Sequence, residues 1–178
     1  PIPPRAFNSQ GSVVLGTAEG GLKITLYNIN GLNPSSPSID FLNEWFFKTM
    51  HHEFAHILHQ TKNYSTDFNL ISTDYQGPSW LNLESDAVAN KMGYVTCYAS
   101  YSPDEDFVEI ISNYVTHAKG YWESVLATAG EEGGDKLARK FEIVRNYLQE
   151  SWGIDIDKLR DIVQKRSANI SQLDLKTL

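Results

Sequence analysis

Between residues 12 and 29 apolar and polar positions roughly alternate. "SVVLGT" (12–17) and "LKITLYNI" (22–29) are rich in Val, Ile, Leu, Thr and Tyr. In the second run Leu22, Ile24, Leu26 and Ile29 are set against Lys23, Thr25 and Tyr27. Short β-branched runs of this kind, separated by "AEGG", predict two strands joined as a hairpin. The period then lengthens. Phe41, Trp45, Thr49, His52 and His56 recur at steps of three and four. That spacing predicts one long helix over about 39–61, capped by Ser38 after the loop "NGLNPSSPS" (30–38). Residues 62–80 are polar and mixed and read as loop. "LESDAVANKMG" (83–93) reads as a short helix stopped by Gly93, and "YVTCYAS" (94–100) as irregular. "SPDEDFVEIISNYVTHA" (102–118) is a helix with a clear start: Ser102 as cap, Pro103 at the first helical position and Glu105 three residues after the cap. Helices at about 120–129, 134–151 and 155–167 follow. Strands near the N-terminus and helices afterwards give an α+β class. The whole of 1–178 reads as one domain, with the sheet and long helix at about 11–61 and a helical part at about 83–178.

Composition narrows the class of molecule. Hydrophobic residues make up 41% of the 178 and aromatics 12%, enough for a globular core. A net charge of −7 with no Lys/Arg-rich run argues against a nucleic-acid or anionic-membrane partner. Cys97 is the one cysteine, which excludes an intrachain disulfide and a Cys-based zinc site. No apolar run reaches the 18 or so residues that span a bilayer. The Pro-rich residues 1–10 read as extended. They begin Pro1-Ile2 without Met, so an upstream targeting segment is expected to have been removed.

The chemistry concentrates in "HHEFAHILHQ" (51–60), which holds four of the five histidines. His52-Glu53-Phe54-Ala55-His56 fits H-E-x-x-H. At about 100° per residue His52 and His56 lie about 40° apart on the helix, so both imidazoles can converge on one metal ion. Glu53 is about 100° round from His52 and can act on a metal-activated water without being a ligand. Phe54, Ala55, Ile57 and Leu58 predict that this helix is largely buried. Polar groups there need partners, and a divalent ion is the simplest one. His59 shares the face, but it stands about 10 Å along the axis from His52 and reads as a supporting or core residue. His51 points elsewhere, and His117 reads as structural.

A catalytic zinc takes three protein ligands and leaves one position open. The extension H-E-x-x-H-x-x-G-x-x-H is missing, since His59 and Lys62 stand where Gly and His would be. The third ligand is therefore expected to be a carboxylate from another helix. Glu105 and Glu109 share one face of the 102–118 helix. Glu105 is assigned as ligand, with Glu109 accepting the N–H of a ligating histidine. The swapped roles remain open, as does Glu84 in "WLNLE", a stretch that faintly resembles the W-L-N-E of zinc aminopeptidases.

"HHEFAHILHQ" followed by "GYVTCYASYSPDEDFVE", together with "LGTAEGGLKITLYNIN", resembles the zinc-binding metallopeptidases of gut Bacteroides-type bacteria, named as substrate-import-associated zinc metallohydrolase lipoproteins. The resemblance implies a gluzincin-like zincin fold with one Zn²⁺ per chain, held by His52, His56 and Glu105. It also implies a lipid anchor upstream and an extracytoplasmic setting near glycan-uptake machinery. Gluzincins of this kind place a tyrosine before the acidic helix to stabilise the oxyanion, which implies Tyr98, or alternatively Tyr101. The expected function is hydrolysis of peptide bonds in a peptide or protein substrate, with Glu53 as general base. The alternatives are a metallohydrolase acting on some other amide or ester, and a non-catalytic accessory or binding module of glycan uptake. Strand 22–29 is expected to form the cleft-side edge that aligns an extended substrate.

Overall fold

Two glycines set the hairpin. Gly20 and Gly21 both have positive φ (59° and 71°), the conformation that tight hairpin turns demand and L side chains resist. They join β1 (Gly16–Glu19) to β2 (Lys23–Leu26), antiparallel, in register from Gly16↔Leu26 to Glu19↔Lys23. The computed structural model describes residues 13–27, 29 and 39–172. The expectations for the Pro-rich start, the 30–38 loop and the Ser38 cap lie outside those residues. β1 begins later than the first apolar run and pairs right up to the turn. The Gly21 N–H donates to Gln60 Oε1 at 2.7 Å and ties the hairpin tip to the end of the histidine-bearing helix.

The helix predicted over 39–61 is continuous but not uniform. α1 (Ile39–Leu42) passes through a π turn (Asn43–Phe47) into α2 (Lys48–Thr61). The Lys48 N–H reaches back five residues to Asn43 O, so one extra residue is absorbed in this turn. Beyond α2 come α3 (Asp86–Met92), α4 (Pro103–Thr116), α5 (Tyr121–Trp152) and α6 (Ile156–Ala168). Short 3₁₀ turns at Thr66–Leu70, Gly77–Asn82 and Tyr98–Ser100 bridge the stretches read as loop or irregular.

α4 is the axle of the molecule, for every residue from Asp106 to Thr116 is buried. Phe107, Val108, Ile110, Ile111 and Val115 belong to one core with Ala55 and Leu58 of α2, Leu137, Phe141, Val144 and Leu148 of α5, and Ile156 of α6. Each fully buried side chain of this size contributes about 1.5–3 kcal/mol, so the α2–α4 contact is held by packing independent of any polar group between them. Among the described residues the class is mostly helical with one small two-stranded sheet, consistent with α+β.

The two helices expected at about 120–129 and 134–151 are both present and meet at a kink within α5. A single non-helical residue, Gly130 (φ 70°, ψ −163°), separates the two. Gly133 stays helical and serves a contact: a Cβ there would lie 2.3 Å from Asn90 O at the end of α3. Gly133→Ala gains about 1 kcal/mol of helix propensity but must push α3 and α5 apart. A net loss of about 1–3 kcal/mol is expected, read as a lower urea midpoint. An unchanged midpoint would show that the two helices part freely.

Candidate metal centre

α2 and α4 present their polar residues to each other. His52 and His56 lie one turn apart on α2, their rings edge-on with centroids 4.9 Å apart. Glu105 sits in the first turn of α4, where the Ser102 Oγ accepts from the Glu105 N–H at 3.3 Å, so the cap that starts the helix also places the carboxylate. Glu105 Oε2 is 3.0 Å from His52 Nε2 and 3.3 Å from His56 Nε2, and the two Nε2 atoms are 3.2 Å apart. One ligand atom from each of the three residues lies within 4.8 Å of the others.

The partners behind these atoms fix their protons. His52 Nδ1 donates to Glu109 Oε1 at 2.8 Å, because a carboxylate can only accept. In the neutral ring that a metal ligand must be, this leaves the lone pair on His52 Nε2. His56 Nδ1, in the tautomer that donates to His59 Nε2 at 2.8 Å, leaves a lone pair on His56 Nε2 as well. In that state three lone-pair atoms face one another at 3.0–3.3 Å. Such a cluster is repulsive by itself and is relieved by a cation. Two imidazole nitrogens and one carboxylate oxygen are a donor set that suits a divalent zinc-like ion.

The electrostatics agree. Burial pulls the charged form of His52 down, but hydrogen bonds to Glu105 and Glu109 and their charges outweigh it and carry its pKa up to about 10. Burial likewise opposes the charge on Glu109, yet His52, Lys48 and Thr96 hold it down at about 2. Glu105 is also held below the ordinary range by the two histidines, against its own burial. All three shifts show a pocket that favours positive charge between the helices.

Support for Glu109 comes from residues the sequence reading missed. Thr96 Oγ donates to Glu109 Oε2 at 2.7 Å, and Asn113 Nδ2 donates to the same oxygen at 3.1 Å. The signal for Asn113 is visible in the chain, since Glu105, Glu109 and Asn113 repeat every fourth residue on one face of α4. Nothing in the irregular 94–100 stretch marks Thr96.

Glu53 is buried and is not one of the three converging residues. It lies against the hairpin, where a Cβ at Gly16 would stand 2.6 Å from Glu53 Cγ and 2.8 Å from its Oε1. Burial raises its pKa above the ordinary carboxylate value. The Tyr98 ring stacks on His52 with centroids 5.9 Å apart, and its phenol is held neutral by burial and by nearby Glu105. Both residues line a cavity of about 370 Å³ together with His52, Trp80 and the extended segment Val13–Gly16. The strand on the cleft side is thus the one leading into β1, and β2 lies behind it, contrary to the expectation for 22–29.

The other candidates fall elsewhere. Tyr101 packs against Tyr98 at 6.0 Å and does not line the cavity. Glu84 is exposed and stands outside the cluster. His59 packs among Tyr64 and Phe107 behind His56. His51 is half-buried on another side of α2. His117 Nδ1 pairs with Asn113 O at 2.9 Å and its ring stacks on Tyr121.

A family model described as "Putative zinc-binding metallo-peptidase" matches residues 4–157. The chain is also similar to a crystal structure described as a "putative zinc-binding metallo-peptidase" from Bacteroides caccae, with 44% sequence identity and a TM-score of 0.78. The match covers 91% of this chain and 61% of that one, so the chain spans under two thirds of that protein. No curated protein matches.

Proposed function

Because the chain belongs to the family described as "Putative zinc-binding metallo-peptidase", we propose that it hydrolyses peptide bonds at a zinc centre of zincin type, with the gluzincin ligand set His52, His56 and Glu105. The observation that carries this reading is the convergence of two imidazole nitrogens and one carboxylate oxygen at 3.0–3.3 Å between α2 and α4. A zinc ion, when bound, supplies Lewis-acid chemistry: it brings the pKa of water from about 16 toward about 7 and draws charge from a carbonyl oxygen.

The protein's own groups do the rest. Glu53 takes the proton of the attacking water and delivers it to the leaving amine, and the raised pKa that burial imposes makes it a stronger base. The Tyr98 hydroxyl, kept protonated, donates a hydrogen bond to the developing oxyanion. Glu109, His59, Thr96 and Asn113 hold the two imidazoles in their working tautomers. The Val13–Gly16 backbone offers an extended edge along which a peptide can lie. The same reading treats the chain as one domain that works outside the cytoplasm on a peptide or protein, held there by a lipid anchor and associated with substrate import. Among the described residues no helix is long and apolar enough to cross a membrane.

The test is metal analysis of the purified protein followed by a peptide-library digest. About one zinc per chain is expected. Hydrolysis should stop on chelation and return with zinc. Zinc uptake with turnover of peptidoglycan fragments or glycopeptides but not peptides would point to another metallohydrolase. Zinc uptake with no turnover of any of them would leave an accessory role.

A further inference from the structure

The first turn of a helix is its least secured part, because its N–H groups lack partners within the helix. In α4 that turn carries Glu105. Three consecutive carboxylates leave it at about 100° intervals, and each ends on a different element. Asp104 accepts from the Tyr64 hydroxyl at 2.7 Å, beyond the end of α2. Glu105 faces the α2 histidines. Asp106 is fully buried, and its Oδ2 accepts from Lys140 Nζ at 2.6 Å and from the Tyr75 hydroxyl at 2.9 Å.

Lys140 is itself fully buried on α5. Its ammonium also donates to Gly93 O at 2.7 Å, at the end of α3, and lies 4.3 Å from the centre of the Tyr94 ring. One cation thus ties α3, α5 and the first turn of α4 together. A buried Lys–Asp pair is a poor source of stability, since desolvating both charges cancels most of their attraction and an apolar pair of similar volume serves as well. What an apolar pair lacks is direction.

We propose that the Asp106–Lys140 pair is a positioning device for Glu105. By pinning the next residue it fixes the rotation of the first turn of α4, and with it the place of Glu105 Oε2 between the two imidazoles. Small angles matter here. A carboxylate about 6 Å from a helix axis moves about 1 Å when the turn rotates by 10°, whereas metal–ligand distances hold to about 0.2 Å. Neither Asp106 nor Lys140 touches the centre, so both act through Glu105. The inference rests on the zinc-centre reading given under the proposed function.

The experiment compares wild type with the double variant Asp106→Leu/Lys140→Met, which removes both charges and keeps the site filled. Zinc affinity is measured by chelator competition, ligand geometry by the visible spectrum of the Co²⁺ form, and stability by urea denaturation with chelator present. A urea midpoint near wild type is expected, with zinc bound about 10–100-fold more weakly and an altered Co²⁺ spectrum, since supporting groups typically have effects of that size. Wild-type zinc affinity and spectrum in the double variant overturn the proposal. Should the double variant not fold, Asp106→Asn keeps the shape and loses the charge; at least several-fold weaker zinc binding is then expected, and wild-type affinity overturns the proposal. A wild-type protein that takes up no zinc overturns the proposed function, and this inference falls with it. Zinc uptake that the variants leave unchanged overturns this inference alone.

Discussion

Glu53→Gln is expected to lower peptide hydrolysis by about 10²–10⁴-fold, the range a positioned general base supplies, while zinc content stays at the wild-type level. Gln keeps the shape and the hydrogen-bonding reach of Glu but cannot take a proton. Metal content should hold because Glu53 is not among the three converging atoms and lies against Gly16 instead. Stability should hold or rise slightly, because burial disfavours the Glu53 charge and Gln removes that burden. The comparison needs three readings on one preparation: kcat/KM on a fixed peptide, metal per chain, and Tm. A variant that keeps more than a tenth of wild-type activity would remove Glu53 from the base role.

Glu105→Ala is expected to weaken zinc binding by more than the about 100-fold at which the effect of supporting groups ends. It deletes one of the three donors and leaves two imidazoles to hold the ion. Glu109→Ala should fall within the about 10–100-fold range, since Glu109 bonds to His52 Nδ1, on the far side of the ring from the shared centre. Glu84→Ala should leave affinity unchanged, as the side chain is exposed and outside the cluster. The rank order, measured by competition with a chromophoric chelator, decides among the three carboxylates. A larger loss at Glu109 than at Glu105 would reverse their roles.

Much of the framework is readable in the residues because local rules operate there. The Gly20-Gly21 turn sets the hairpin, and Ser102-Pro103 with Glu105 starts α4, each through a short-range device. The i, i+4 spacing of His52 with His56 and of Glu105 with Glu109 likewise states which side chains share a face. What escaped depends on distant neighbours. Gly133 looks like a helix break until Asn90 is seen against it. Lys140 looks like a solvent-facing residue of an amphipathic helix, yet it is sealed in the core by its contact with Asp106. The π turn before α2 leaves the three- and four-residue spacing of the apolar positions unbroken, so the periodicity does not show it. Thr96 lies in a stretch without periodicity, so only the folded chain shows what it supports. Which strand borders the cleft could not be told from two runs of similar composition.

The bare backbone at Gly16 has a consequence for the rhythm of turnover. A glutamate loses about 1.5–2 kcal/mol of torsional freedom when its side chain is confined to one rotamer. At Glu53 the close neighbour on the hairpin side is the Gly16 main chain, which cannot swing aside as a neighbouring side chain could. On the proposed function, the loss is settled once, during folding, and is not repeated in each catalytic cycle. In the proposed reaction the proton acceptor then meets every incoming peptide already in place.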